Sequence, residues 1–162
     1  MGRFHLCILW PFSGQLMPAL SSWRQSKGQS PELRKRIHTW RPPPEGMVKL
    51  NCDGGFCAEN MTGSTGAVLR SSEGSFLGAV MRGIPSMSSA LVAESEACRD
   101  GLRLTLMRGG PEHVILESDS LQLVSLWKDR CKQRSEIATI LDEMQEMVTA
   151  LPSVTFVHAT VV

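Results

Sequence analysis

Three acidic residues stand among apolar neighbours in this sequence, at positions where a folded protein normally places apolar side chains. Asp53 follows the strand-like run LNC, Glu94 follows LVA, and Asp119 follows VILES. An ionised carboxylate in apolar surroundings costs several kcal/mol unless a cation or a hydrogen-bond donor compensates it, and three together repel one another. A bound divalent metal ion is the simplest compensation, and ligand sets made of oxygen alone favour hard cations such as Mg²⁺ or Mn²⁺.

A carboxylate cluster of this kind supports phosphodiester chemistry. Two ions held about 4 Å apart can activate a water and stabilise the leaving oxygen during in-line hydrolysis. Each residue also has a simpler interpretation. Asp53, which precedes two glycines, also fits a turn, Glu94 fits the edge of a helix, and Asp119 fits a capping pair with Ser120.

An antiparallel meander is predicted for the segments around the first of these residues. Two tight connections join three segments of alternating polarity. Gly54 and Gly55 allow either a bulge or the close approach of a ligand to the backbone. The predicted strands span 47–56, 66–70 and 75–82.

The segment that carries Glu94 has the period of an amphipathic helix. Small and apolar residues spaced three and four apart predict a helix from about Ser88 to Met107, with Glu94 on its inner face. Asp119 follows a short apolar run that is typical of a buried strand, and Ser120 can cap the next helix. The remaining predicted elements are a strand at 113–116, a helix at 121–129 with Leu121, Val124 and Trp127 inward, a helix at 137–148 and a strand at 154–158.

This order of elements predicts an α/β fold, with a mixed sheet and helices packed against it. Asp53 and Asp119 would lie on adjacent central strands, one at mid-strand and the other at a carboxyl end. Glu94 would descend from the covering helix. All three carboxylates can therefore meet at one point.

Length and composition favour one domain with an N-terminal tail. The 162 residues, 42% of them hydrophobic, can bury one core of ordinary size. Residues 1–39 lack a regular period and are predicted to be a disordered extension, so the folded domain spans 40–162. The apolar stretch at 4–10 faintly resembles a targeting leader, but Pro11 and Gly14 interrupt it, which favours a simple extension.

Cysteine usage, hydropathy and charge argue against disulfide-rich, zinc-binding and membrane-spanning proteins and show where basic residues are concentrated. Five cysteines without a CxxC pair support neither a disulfide framework nor a zinc site, which favours a reducing compartment. No apolar run reaches the roughly 20 residues of a spanning helix, so no membrane partner is expected. Residues 1–45 hold seven basic and two acidic residues, whereas 46–162 hold ten and fourteen. Binding of a polyanion must therefore depend on the tail or on local clusters of charge.

Several motifs, in their order, resemble the plant ribonuclease H-like domains related to reverse-transcriptase elements (ribonuclease H type 1). They are WRPPPEGMVKLNCDGGF at 40–56, GAVLR at 66–70, AESEA at 93–97, LESDS at 116–120 and FVH at 156–158. The resemblance implies a ribonuclease H-like five-stranded mixed sheet, in which three antiparallel strands precede the parallel ones. It also implies nucleic-acid binding and an endonuclease that uses Mg²⁺ or Mn²⁺ to cut the RNA strand of an RNA/DNA hybrid.

By this resemblance, Asp53, Glu94 and Asp119 correspond to the first three members of the family's Asp-Glu-Asp-Asp metal set. The family's final helix, which supplies the fourth aspartate, has no counterpart after His158, where only ATVV follows. We therefore expect metal binding to be retained but weakened, and hydrolysis to be much reduced or absent. The alternatives are a non-catalytic module that binds nucleic acid or protein, and a truncated product that folds poorly.

Substrate contacts are assigned to polar and basic groups near the predicted site. Proteins that bind hybrids contact phosphates and 2′-hydroxyls along the minor groove. Asn51, Gly54 and Gly55 can offer amide and backbone contacts, and Arg70 or Arg82 can reach a phosphate.

Three other polar residues near the motifs receive no catalytic role. Glu96 and Glu117 are predicted to face solvent or to support the site from outside, and His158 is predicted to be a residue at the end of a strand.

Overall fold

The fold is a single sheet with helices packed against it. The computed structural model describes residues 40–111, 113–132 and 134–159. Within these residues the chain forms β1 (Met47–Cys57), β2 (Thr62–Arg70), β3 (Phe76–Ile84), α1 (Ala90–Met107), β4 (His113–Ser118), α2 (Leu121–Lys128), a 3₁₀ turn (Arg130–Lys132), α3 (Ala138–Thr149) and β5 (Val154–His158).

The sheet has the order β3-β2-β1-β4-β5. The first three strands are antiparallel neighbours, whereas β4 pairs parallel with β1 and β5 pairs parallel with β4. The predicted α/β fold with a mixed five-stranded sheet is therefore confirmed. The parallel pairing of β1 with β4 places the carboxyl end of β4, at Ser118, beside Cys52 in the middle of β1.

The core lies between one face of the sheet and the helices. Val48, Leu50 and Cys52 alternate along β1 and are buried there with residues of α1. The intervening residues of β1 point to the opposite face, since successive side chains of a strand alternate. Helix α1 begins two residues later than predicted, and the Oγ of Ser89 accepts a hydrogen bond from the Val92 amide at its first turn.

Helix α2 turns a different face inward from the one predicted. Leu121 was expected to be buried but is 61% exposed, whereas Leu123 is fully buried. Val124 is buried as predicted, and Trp127 is half-buried. The predicted cap is present, since the Oγ of Ser120 accepts a hydrogen bond from the Leu123 amide. This helix has eight residues, so about two turns of sequence were too few to define its buried face.

Parts of the chain fall outside this description. The predicted disordered extension, residues 1–39, lies outside the described residues, as does the chain after residue 159. Among the described helices, none combines the length and the apolarity that a membrane-spanning segment requires. The four cysteines of the described region, Cys52, Cys57, Cys98 and Cys131, are all free thiols.

Candidate metal centre

Two of the three predicted carboxylates emerge from neighbouring parallel strands. Cys52 of β1 is paired with Ser118 of β4 at the end of their ladder, so Asp53 and Asp119 are the next residues on each side. Glu94 approaches from α1 and completes the group. One carboxylate oxygen from each of the three lies within 4.8 Å of the others. The structure therefore brings together the residues that the sequence pattern selected.

The exposure of the cluster differs from expectation. Asp53 and Asp119 are exposed and Glu94 is half-buried, although all three were expected at apolar positions. Asp53 stands on the face of β1 opposite the core, and Asp119 lies just past the end of β4, so their apolar sequence neighbours do not enclose them. The penalty for desolvation consequently falls mainly on Glu94.

Glu94 is oriented by two hydrogen-bond donors. The Ser118 hydroxyl lies 3.2 Å from its Oε2, and the backbone N–H of Gly54 also donates to the carboxylate. Burial, followed by the negative charges of Asp119 and Asp53, nevertheless raises the pKa of Glu94 from 4.5 to about 7. A carboxyl group with this pKa is ready to exchange its proton for a metal ion near neutral pH.

The pKa of Glu94 predicts how stability depends on pH when no metal is bound. Between pH 4.5 and about 7 the folded protein holds a proton that the unfolded chain releases, so ionisation of Glu94 lowers stability as pH rises through this window. The variant Glu94→Gln lacks this loss. In EDTA, the melting temperature of Glu94→Gln should therefore rise relative to wild type from pH 4.5 to 7.5. If the difference in melting temperature between the two proteins stayed constant from pH 4.5 to 7.5, the raised pKa of Glu94 would be contradicted.

The donor set of the cluster fits a hard divalent cation. All three side chains offer carboxylate oxygens, which are the preferred ligands of Mg²⁺ and Mn²⁺, and none is a soft sulfur or an imidazole. Asp53 and Asp119 are attached to a paired sheet, which limits their movement relative to each other. Glu94 is held by Gly54 and Ser118, so the third ligand is also oriented before an ion arrives.

Several of the predicted substrate-binding residues already contact other side chains. The Asn51 amide donates to Glu117 at 2.6 Å and accepts from Trp40 at 3.2 Å. The guanidinium of Arg70 lies 5.3 Å from the centre of the Trp40 ring. Arg82, the predicted alternative to Arg70 as a phosphate contact, forms ion pairs with Glu96 and Asp100 of α1.

The two glycines at the cluster, Gly54 and Gly55, differ in how much space a side chain would have. A Cβ at position 54 would lie 2.3 Å from the backbone carbon of Ala93, so glycine is needed for the close approach of α1. A Cβ at position 55 would meet only the Ser64 hydroxyl, at 2.9 Å. The pairing of β1 with β2 continues without interruption through both glycines, so the bulge considered from the sequence is absent.

Sequence reasoning left two residues of this region open and missed a third. Glu96 and Glu117 were predicted either to face solvent or to support the site from outside, and their side chains are only 13% and 16% exposed and form ion pairs, so they do not face solvent. Asp100 was not singled out, yet it is the buried carboxylate of α1. Its position on the same helical stripe as Ala97 and Gly101 was the available signal. His158 ends β5 as predicted, and its Nε2 also lies 3.0 Å from the Asp119 carbonyl oxygen.

Comparisons with known proteins agree with this architecture. Residues 51–160 match the family model described as reverse transcriptase-like. No curated protein matches the chain. Solved structures give many matches, among them ribonuclease H1 from the archaeon Halobacterium salinarum, with 18% identity and a TM-score of 0.64 over 70% of this chain and 86% of that one.

Two further matches have similar scores. The N-terminal ribonuclease H domain of a Mycobacterium tuberculosis protein has 18% identity and a TM-score of 0.63, covering 71% of this chain and 83% of that one. LC11 ribonuclease H1, from a compost metagenome, was crystallised in complex with an RNA/DNA hybrid. It has 20% identity and a TM-score of 0.62, covering 69% of this chain and 84% of that one. At these identities the likeness establishes the fold.

Proposed function

This chain belongs to the reverse transcriptase-like family, and on that basis we propose that it binds RNA/DNA hybrids and cleaves their RNA strand with the help of Mg²⁺ or Mn²⁺. The observation that carries the proposal is the meeting of Asp53, Glu94 and Asp119 within 4.8 Å of one another, where the carboxyl end of β4 lies beside the middle of β1. The hybrid bound to LC11 ribonuclease H1, which has the same fold, supports the choice of substrate.

Each residue of the cluster has a definite part in this proposal. Asp53 and Asp119 would hold the cation from two adjacent strands, and Glu94 would hold it from α1. Polarisation of a phosphate oxygen and activation of a water are the chemistry that such a cation supplies when bound. The Ser118 hydroxyl and the Gly54 amide keep the Glu94 carboxylate directed toward the other two.

The first test replaces one ligand without changing its size. Asp119→Asn should reduce Mn²⁺-dependent cleavage of a labelled RNA/DNA hybrid by about 100-fold, which corresponds to about 2.7 kcal/mol of transition-state stabilisation. Asp142→Asn makes the same chemical change at an exposed position on α3 and should cleave at the wild-type rate. Equal rates for the two variants would remove Asp119 from the mechanism.

The same experiment separates hydrolysis from binding alone. The prediction of reduced turnover, made from the sequence, stays a prediction, and a ribonuclease H1 assayed beside this protein provides its reference rate. Isothermal titration with Mn²⁺ gives the number of ions bound. Metal binding and hybrid binding without cleavage would favour a non-catalytic nucleic-acid-binding module. A protein that binds neither metal nor hybrid would contradict the proposed function.

A further inference from the structure

Trp40 packs on the face of the sheet opposite the core. Its ring lies near two cations, with the Lys49 ammonium 5.5 Å and the Arg70 guanidinium 5.3 Å from the ring centre. Lys49 and Arg70 are cross-strand partners on β1 and β2, so the indole spans this strand pair. Lys49 alternates with buried core residues of β1, which places the indole on the side away from the helices.

The indole begins a chain of polar contacts that crosses from β1 to β4. The Nε1 of Trp40 donates to the Asn51 Oδ1 at 3.2 Å, and the Asn51 Nδ2 donates to Glu117 at 2.6 Å. The other oxygen of Glu117 lies 2.7 Å from the Nζ of Lys49, which also donates to the Arg41 carbonyl at 2.9 Å. The contacts thus form a closed path through β1, β4 and the segment before β1.

The donor and acceptor roles of these groups allow only one orientation of the Asn51 amide. An indole N–H can only donate a hydrogen bond and an ionised carboxylate can only accept one. The amide of Asn51 must therefore turn its oxygen to Trp40 and its nitrogen to Glu117. Three of the four contacts of the path involve a charged partner, which strengthens them relative to neutral hydrogen bonds.

The path includes residues that closely precede Asp53 and Asp119 in the sequence. Asn51 and Glu117 are partners in the parallel ladder of β1 and β4. Asp53 is two residues beyond Asn51, and Asp119 is two residues beyond Glu117. Because the side-chain period of a strand is two, Asp53 lies on the same side of β1 as Asn51, while Asp119 directly follows the last residue of β4. The link between Asn51 and Glu117 therefore adds a side-chain contact between the two strands just before Asp53 and Asp119.

We infer that Trp40 is a positioning residue for the metal centre, which acts through Asn51 and Glu117 on the separation of Asp53 and Asp119. This inference rests on the proposed metal binding. Trp40 does not touch the cluster, and its indole N–H is the first donor of the path. Its loss frees the Asn51 amide to rotate and weakens the contact that joins the two strands.

The decisive variant is Trp40→Phe. It keeps a six-membered aromatic ring near Lys49 and Arg70, and it removes the five-membered ring that carries the indole N–H. It changes no charge, so electrostatic effects on the metal ion are constant. The matched control is Trp127→Phe, because Trp127 also stacks on an arginine, Arg130 at 4.4 Å, but lies outside the path. The readouts on the full chain are Mn²⁺ affinity, urea unfolding and amide hydrogen exchange without metal.

Trp40→Phe should weaken Mn²⁺ binding by roughly 3- to 10-fold, the range expected for one lost hydrogen bond in a ligand support. Trp127→Phe should leave Mn²⁺ affinity unchanged even where it lowers stability as much. In metal-free protein, Trp40→Phe should speed amide exchange at 51–54 and 117–119 relative to the β2 and β3 amides. Equal metal affinity and equal exchange patterns in the two variants would overturn the inference.

The metal-free measurement keeps this inference separate from the proposed function. If the wild-type protein binds no Mn²⁺, the proposed metal chemistry fails, and amide exchange alone decides whether Trp40 couples the strands. Localised acceleration at 51–54 and 117–119 would then support the coupling. Uniform acceleration over the whole sheet would show that Trp40 contributes only general stability.

Discussion

Gly54→Ala is expected to destabilise the domain by about 3 kcal/mol, a large loss for a single methyl group. The added Cβ would lie 2.3 Å from the backbone carbon of Ala93 and 2.4 Å from the backbone nitrogen of Glu94. Backbone atoms cannot rotate away as a side chain does, so α1 must shift from β1. The shift would also disturb the hydrogen bond from the Gly54 amide to the Glu94 carboxylate.

Gly66→Ala provides the matched control for this prediction. Gly66 lies on β2 opposite Asp53, and a Cβ there would have the Asp53 carbonyl oxygen as its neighbour at 3.9 Å, an ordinary contact. Its free energy of unfolding in urea should stay within about 0.5 kcal/mol of wild type. Gly54→Ala should in addition weaken Mn²⁺ binding. A Gly54→Ala protein as stable as Gly66→Ala would show that the helix can move without cost.

The positions of the ligands could be predicted from sequence because they depend on topology. A three-strand meander followed by a helix and a buried strand places the end of β4 beside the middle of β1, and the helical period places Glu94 above them. The exposure of Asp53 and Asp119 could not be predicted from apolar neighbours alone. It depends on which face of β1 the helices cover and on where β4 ends.

The supporting residues were harder to predict because their partners are distant in sequence. The hydroxyl of Thr65 bonds to Asp100 across 35 positions, and Asn51 bonds to Glu117 across 66. Local pattern gives the element and the face of such residues but not the partner on another element. The short helix α2 was hard to predict for a different reason. Its apolar pattern covers only about two turns, which is too short to define a buried face, and packing in the fold buries Leu123 and leaves Leu121 exposed.

The second large effect is expected from Asp100→Ala, which removes the buried carboxylate of α1. Asp100 is 7% exposed, and its Oδ2 accepts from the Thr65 hydroxyl at 2.8 Å and from the Arg82 Nε at 2.9 Å. These contacts join α1 to β2 and to the edge strand β3. Removal leaves a buried hydroxyl without this acceptor and a half-buried guanidinium with less compensation. We expect a loss of about 3 kcal/mol, since breaking a buried pair by removing one partner is costly.

A more exposed carboxylate, on α3, gives the comparison for Asp100. Glu143 on α3 pairs with Arg99 at 3.1 Å and with Arg103 at 3.2 Å, and its side chain is 39% exposed. Glu143→Ala should therefore cost at most about 1 kcal/mol, and that cost should shrink in 1 M NaCl. The cost of Asp100→Ala should persist in 1 M NaCl, because solvent ions screen a buried pair much less. Equal urea midpoints for the two variants would mean that the Asp100 contacts only offset their own desolvation.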